Sequence, residues 1–153
     1  HYRTTGPEIW NQTEGDIDYF FAAFGTCGTI TGVARYLKER NPEVKIIGVE
    51  PASRAHRLSG IKKISNLPEE HQPKILDYSL IDEIVEVEDS DAYRAGIRLA
   101  RQDGIMVGPT TGALLHAAAI IGASNTGTAV VISPDDATKY ISAYAEWLDA
   151  EED

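Results

Sequence analysis

The stretch Gly25-Thr26-Cys27-Gly28-Thr29 decides the fold of this chain, because an apolar segment ends there and an amphipathic segment begins. The residues before it, Ile17 to Phe24, are aromatic and apolar enough for a buried strand. After it, apolar residues recur at helical spacing, namely Ile30, Val33, Ala34 and Leu37. The stretch is therefore predicted to be a glycine loop that joins a strand to a helix.

A glycine loop that opens a helix leaves backbone N–H groups unpaired at the positive end of the helix dipole. Gly25 and Gly28 also permit backbone angles and a close approach that a side chain would block. The loop is therefore predicted to hold an anion, most often a phosphate, and a phosphorylated cofactor fits this prediction. A tight turn without any ligand is the alternative interpretation.

Length and charge exclude several classes of function. A chain of 153 residues fits one domain, residues 1–153, with a single core. The net charge of −10 argues against nucleic acid or an anionic membrane as the partner, since both attract Lys and Arg. No apolar run approaches the roughly 20 residues of a spanning helix. The single cysteine excludes an internal disulfide, which fits a cytoplasmic location.

Strands and helices alternate along the rest of the chain. Asp89-Ser90-Asp91 is predicted to cap a helix that Gly104 ends, and an irregular connection is predicted from Pro51 to Leu80. The acidic tail, residues 151–153, is expected to be frayed. Further strands are predicted at 44–49, 83–87, 105–107 and a buried 129–132, and further helices at 7–13, 113–121 and 140–148.

This alternation predicts an α/β fold of three αβα layers, a Rossmann-like domain with a mainly parallel sheet. Ligands of such sheets bind beyond the carboxyl ends of the strands. Three loops are predicted to lie there and to face one crevice: residues 25–29, 108–112 and 134–136.

Five motifs occur in the order seen in one enzyme family. They are His1-Tyr2-Arg3-Thr4-Thr5-Gly6-Pro7-Glu8-Ile9-Trp10, residues 25–32, Gly48-Val49-Glu50-Pro51, residues 104–112 and Pro134-Asp135. These motifs resemble those of cysteine synthases and the related cystathionine β-synthases, which are fold-type II pyridoxal-phosphate enzymes. The resemblance covers nearly the whole chain and implies the large domain of these enzymes.

The resemblance implies a cofactor, pyridoxal 5′-phosphate, and a reaction, the β-replacement of an activated serine by sulfide or a thiol in L-cysteine biosynthesis. It implies that Thr110 hydrogen-bonds the pyridine nitrogen and that Ser59 and Gly60 lie near the amino-acid substrate. It also implies a homodimer. The remaining cofactor-binding residues that it implies are Gly25, Thr26, Cys27, Gly28 and Thr29 at the phosphate and Pro134 and Asp135 at the far side of the ring.

Three departures from the family pattern limit these implications. Cys27 stands where the commonest family form has glycine, which is tolerable if its backbone stays in an allowed region. Lys62-Lys63-Ile64-Ser65 replaces a glycine-rich continuation, which leaves the substrate open. Family members form a Schiff base with a lysine in an N-terminal half, and no motif here matches its surroundings. The chain is thus expected to be the C-terminal part of such an enzyme, to hold no catalytic residue and to be inactive without the N-terminal half.

A non-catalytic nucleotide-binding or interaction module on the same architecture remains an alternative. Glu50 follows the second strand, where a ribose-binding acid would lie, although Cys27 and Ile30 break the dinucleotide glycine pattern. Cys27 at a helix N-terminus is compatible with a nucleophile or with a small packed residue, and the second is favoured. No metal site is predicted, because three of the four histidines, His56, His71 and His116, show no metal-ligand spacing with one another or with Cys27.

Overall fold

A computed structural model describes residues 1–148 of the chain. Its strands are β1 (Tyr19–Ala23), β2 (Lys45–Pro51), β3 (Glu83–Val87) and β4 (Ala129–Val131). Its helices are α1 (Thr5–Gln12), α2 (Gly28–Lys38), α3 (Asp89–Asp103), α4 (Pro109–Gly122) and α5 (Ile141–Leu148), with short 3-10 turns at Glu69–His71, Tyr78–Leu80 and Ala137–Tyr140. The predicted fraying of residues 151–153 lies outside the described residues.

The four strands form one parallel sheet in the order β3-β2-β1-β4. Phe21 of β1 pairs with Ile47 of β2, and Val49 of β2 pairs with Val85 of β3. Because all strands run in the same direction, their carboxyl ends meet at one edge of the sheet. The loops that follow β1, β2 and β4 therefore lie next to one another.

Helices cover both faces of the sheet. Phe20 and Phe21 are consecutive and point to opposite faces, and each belongs to a different buried cluster. Phe20 packs with residues of α1 and α2, such as Ile30 and Leu37. Phe21 packs with residues of α3, α4 and α5. The three-layer α/β prediction is confirmed, and burial on both faces explains why β1 is apolar without alternation.

The strand predicted at residues 105–107 is wrong. Only Val107 pairs, in an isolated antiparallel bridge to Asp136. Ile105 and Met106 are 54% and 63% exposed. The segment leaves α3 through Gly104, whose left-handed φ of 72° ends the helix, and reaches α4 after a few residues. It finds no strand partner in the sheet, so its apolar composition does not produce a strand.

Three further features differ from the predictions: the start of α4, the cap of α3 and the burial of β4. Helix α4 begins at Pro109 and not at residue 113, because proline suits the first helical position. The predicted Asp89-Ser90-Asp91 cap is wrong, since Glu88 is the N-cap residue of α3 and makes no side-chain cap. Strand β4 lies at the edge of the sheet, and its Ala129 is exposed rather than buried.

Within residues 1–148, no helix is long and apolar enough to cross a membrane.

Candidate functional site

A cavity of about 210 Å³ lies at the carboxyl end of β1. Its lining includes residues of the glycine loop (residues 25–29), Thr110 and Pro134, so the three predicted segments face one crevice, although Thr110 lies in the first turn of α4 and not in a loop. Gly28, Ser59 and Asp135 do not line it. The other lining residues are Ala22, Ala23, Gly60, Ile61, Leu114 and Ile132, and of these only Gly60 was anticipated from the sequence.

The N-terminus of α2 lies at this cavity, and its first backbone N–H groups are unpaired. No side chain of residues 1–148 caps the helix. Among the described residues, the first amide of the helix with an acceptor is that of Thr31, which donates to the Cys27 carbonyl at 3.2 Å. The amides of Gly28 and Thr29 have no acceptor there. These N–H groups and the helix dipole together favour an anion.

Cys27 occupies the N-cap of α2 in a left-handed conformation, with a φ of 65°. This region is allowed but unfavourable for a residue with a side chain, which explains the glycine common in the family. The side chain points into the core, and the residue is 3% exposed. Burial raises the pKa of the Cys27 thiol to about 11. A thiol that stays protonated at neutral pH is a poor nucleophile, so Cys27 is a packed residue.

The N-terminus of α4 is closed by a carboxylate from a distant part of the chain. Asp135 accepts hydrogen bonds from the Thr110 and Thr111 amides, each at 2.9 Å, and from the Thr111 hydroxyl at 2.6 Å. The Gly112 amide donates to the Gly108 carbonyl at 3.0 Å. Pro109 has no N–H to satisfy, so the first turn of α4 offers no free amide to an anion.

The Thr110 side chain faces the cavity beside the carboxylate-capped helix end. Thr110 is 4% exposed, and its hydroxyl donates to the Ser59 carbonyl at 2.6 Å. Ser59 therefore reaches the site through its backbone, while its own residue surface is exposed. A hydroxyl group can accept as well as donate, so the Thr110 hydroxyl can still hydrogen-bond a ligand in the cavity.

Glu50 does not lie free at the end of β2, where the nucleotide alternative needs it. It is fully buried, and its Oε2 accepts from the amides of Ile64 and Ser65 at 2.8 and 2.9 Å. Lys63 Nζ lies 3.0 Å from its Oε1. Burial alone would raise the pKa of Glu50, but the hydrogen bonds from Ser65 and Ile64, together with the nearby Lys63 ammonium, outweigh burial and lower it. The carboxylate is therefore ionised and internally paired.

Sequence reasoning missed this arrangement. The sequence signal that could have found it was Glu50, a charged residue directly after the apolar run Ile46–Val49. A second signal was Lys63 beside Ile64, which is buried.

His116 lies 3.7 Å from Asp91, away from the cavity. In residues 1–148, no group of three or more His, Cys, Asp or Glu side chains is placed to hold a metal ion.

Residues 1–135 match the family of pyridoxal-phosphate dependent enzymes. The chain belongs to this family. The groups at the cavity suit the chemistry of pyridoxal phosphate, because the free amides of α2 are donors for a phosphate and the Thr110 hydroxyl is a partner for a ring nitrogen.

Curated relatives include cysteine synthases. Cysteine synthase B of Pseudomonas aeruginosa is 45% identical over 117 residues, which are 76% of this chain and 38% of that protein. Cysteine synthase of Aquifex aeolicus is 40% identical over 147 residues, or 93% of this chain and 44% of that protein. Cystathionine beta-synthase of Apis mellifera is 36% identical over 97% of this chain and 32% of its own length.

Solved structures agree with these relatives. The crystal structure of O-ureido-L-serine synthase superposes with a TM-score of 0.82 at 32% identity, over 93% of this chain and 47% of that one. The chain thus spans less than half the length of each of the relatives named here.

Proposed function

We propose that this chain is the cofactor-binding C-terminal part of a cysteine synthase-like enzyme that replaces the β-substituent of an activated serine by sulfide or a thiol. The observation that carries the proposal is that the uncapped α2 amides and the Thr110 hydroxyl lie at the same cavity. The cysteine synthases among the relatives support the reaction class. Pyridoxal 5′-phosphate supplies the electron sink for such chemistry when bound.

The residues of the chain divide the binding of the cofactor between them. The amides at the start of α2 and the glycine loop hold the phosphate, where the helix dipole favours its negative charge. The Thr110 hydroxyl meets the ring nitrogen, and Pro134 lies beside the ring. A hydroxyl is neutral and does not stabilise a protonated ring nitrogen as a carboxylate would. Asp135 does not take that place, because its carboxylate is bound to the α4 amides.

Other parts of the enzyme are expected to come from outside these residues. We assign the Schiff base to a lysine that this chain does not contain, so the chain by itself is expected not to turn over substrate. The lysine-bearing half and a second protomer are the proposed partners, and a cytoplasmic location fits the single cysteine.

The proposal is tested by titrating the 153-residue chain with 4′-deoxypyridoxine 5′-phosphate. This cofactor analogue lacks the aldehyde and therefore does not react with surface lysines. It is expected to bind and to raise the melting temperature, whereas adenine nucleotides are not. Binding of adenine nucleotides without binding of the analogue would contradict the proposal and support the nucleotide module.

A matched variant separates the ring contact from the phosphate contact. Thr110→Val keeps the shape of the side chain and removes the hydroxyl, so it should weaken binding of the analogue about 10-fold, or about 1.4 kcal/mol. Affinity for inorganic phosphate should not change, because the α2 amides are untouched. An equal loss for both ligands would show that Thr110 does not contact the ring.

A further inference from the structure

A buried ion pair lies behind the wall of the cavity. The side chains of Lys63 and Glu50 are 4% and 0% exposed, and the ammonium nitrogen of Lys63 lies 3.0 Å from Glu50 Oε1. Lys63 also pairs with Glu86 of β3. Lys63 Nζ has no hydrogen-bond partner within residues 1–148, so the ion pairs are what compensates its buried charge. Because a buried charge is costly unless it is paired, the two carboxylates hold the Lys63 ammonium between them.

Lys63 belongs to a segment, residues 59–65, that runs from the cavity to the end of β2. Glu50 binds the backbone of this segment as well as the Lys63 side chain. Its carboxylate accepts from the amides of Ile64 and Ser65 and from the Ser65 hydroxyl. These donors, like the Lys63 ammonium, belong to residues 63–65. The end of β2 therefore anchors this segment. The anchor consists of the buried Glu50 carboxylate on the strand and the buried Lys63 ammonium on the segment.

The other end of the segment contacts both halves of the site. The Ser59 carbonyl accepts from Thr110, and the Lys62 amide donates at 2.7 Å to the carbonyl of Phe24, directly before the glycine loop. Between them, Gly60 and Ile61 line the cavity. The packing is close, since a Cβ at Gly25 would lie 2.8 Å from the Gly60 carbonyl oxygen.

We infer that Lys63 is a positioning residue for the cavity wall. Its pairing with Glu50 and Glu86 sets the backbone of Gly60 and Ile61 against the glycine loop and Thr110, and so sets the space around the cofactor ring. The identity of the ligand rests on the proposed function. Lys63 does not line the cavity, and so it acts through the segment that it holds.

The first test compares Lys63→Met with Lys62→Met, a control in which an adjacent exposed lysine loses its charge. In the 153-residue chain, Lys63→Met should weaken binding of 4′-deoxypyridoxine 5′-phosphate at least about 10-fold and of inorganic phosphate less than about 3-fold. Lys62→Met should change both affinities by the same factor, and Lys63→Arg should restore most of the selective loss. Equal affinities of Lys63→Met and the wild type for the analogue would overturn the inference.

Lys63→Met leaves Glu50 buried without its cation, so a second variant guards against loss of the fold. Glu50→Gln/Lys63→Met removes both charges and keeps an acceptor for the Ile64 and Ser65 amides. It should fold, as circular dichroism will show, and still lose at least about 5-fold in analogue affinity. Wild-type affinity of this double variant would also overturn the inference.

Hydrogen exchange tests the inference without any ligand. The Lys62 amide should exchange at least about 10-fold faster in the double variant than in the wild type, while amides between β1 and β2 keep their protection. Unchanged protection of Lys62 would refute the positioning role even if no analogue binds to the wild type. Failure of the wild type to bind the analogue, with faster exchange in the variant, would refute the proposed function alone.

Discussion

Helices α2 and α4 begin at the same cavity, but their first turns satisfy their backbone amides in opposite ways. At α2, no side chain caps the helix, and the amides of Gly28 and Thr29 have no acceptor within residues 1–148. At α4, Asp135 accepts from the Thr110 and Thr111 amides. The difference teaches that a helix N-terminus binds an anion only where the rest of the fold leaves it open.

The same difference separates two tasks. An open, positive helix end suits a phosphate, whereas a helix end already neutralised by a carboxylate presents only its neutral Thr110 hydroxyl to a ring nitrogen. The four variants below alter one helix end at a time. Each is paired with a control at the other helix end, at a neighbouring residue or at the same residue.

The largest effect is expected from Gly112→Ala in α4. A Cβ at Gly112 would lie 2.1 Å from the Ala92 carbonyl oxygen, so α3 and α4 would have to separate. We expect a loss of about 3 kcal/mol in the free energy of unfolding. At Gly28 in α2 the nearest atoms lie at 3.8 Å, and Gly28→Ala should change stability by less than about 0.5 kcal/mol. Urea unfolding measures both, and equal stabilities would contradict the tight packing of α4.

Asp135→Ala should open the end of α4. It leaves the amides of Thr110 and Thr111 and the Thr111 hydroxyl without their acceptor, at an expected loss of about 2 kcal/mol in unfolding free energy. Asp136→Ala is the matched control, because Asp136 accepts from the Thr138 amide at the exposed 3-10 turn Ala137–Tyr140. Asp136→Ala should lose less unfolding free energy than Asp135→Ala. Chemical denaturation that ranks the two variants the other way would contradict the capping of α4 by Asp135.

Thr26→Asp should make the end of α2 resemble that of α4. Thr26 is exposed, so the carboxylate is tolerated, and its charge lies beside the open amides. Affinity for inorganic phosphate should fall at least about 10-fold, which is about 1.4 kcal/mol. Without phosphate, the variant should gain up to about 0.5 kcal/mol in stability. Calorimetric titration checks the first effect, and Thr26→Asn, which carries no charge, should keep most of the phosphate affinity.

The smallest effect concerns the backbone of Cys27. Alanine keeps the left-handed strain of this residue and glycine removes it, while both lose the buried sulfur. Cys27→Gly should therefore be more stable than Cys27→Ala by about 1 kcal/mol, the reverse of the usual order at a helical position. Thermal and urea unfolding of the two variants give the difference directly. A more stable alanine variant would show that the left-handed conformation carries no strain.

Local patterns predicted the unit from β1 to β2, because the apolar strands, the glycine loop and the helical spacing of α2 each lie within a few consecutive residues. They failed at residues 105–107, where composition favours a strand but no partner strand is available. They also missed the destination of Asp135, whose partner Thr110 is 25 residues away in the sequence.

Glu50 shows the same limit. Its position at the end of β2 was predicted, but its hydrogen bonds to the backbone were not. The donors of these hydrogen bonds lie on a segment without periodicity, and only the folded chain brings this segment back to the sheet. Asp135 and Glu50 are both carboxylates at strand ends near the cavity. Packing turns both of them toward backbone amides of the protein.

By itself, the sequence determined the α/β alternation, the glycine loop at the start of α2 and the family, because these depend on the order of residues along the chain. Only the tertiary structure decided which helix end stays open and which side chains face the cavity. The physical reason is that a buried amide or carboxylate takes whatever partner the packed chain brings within hydrogen-bonding distance.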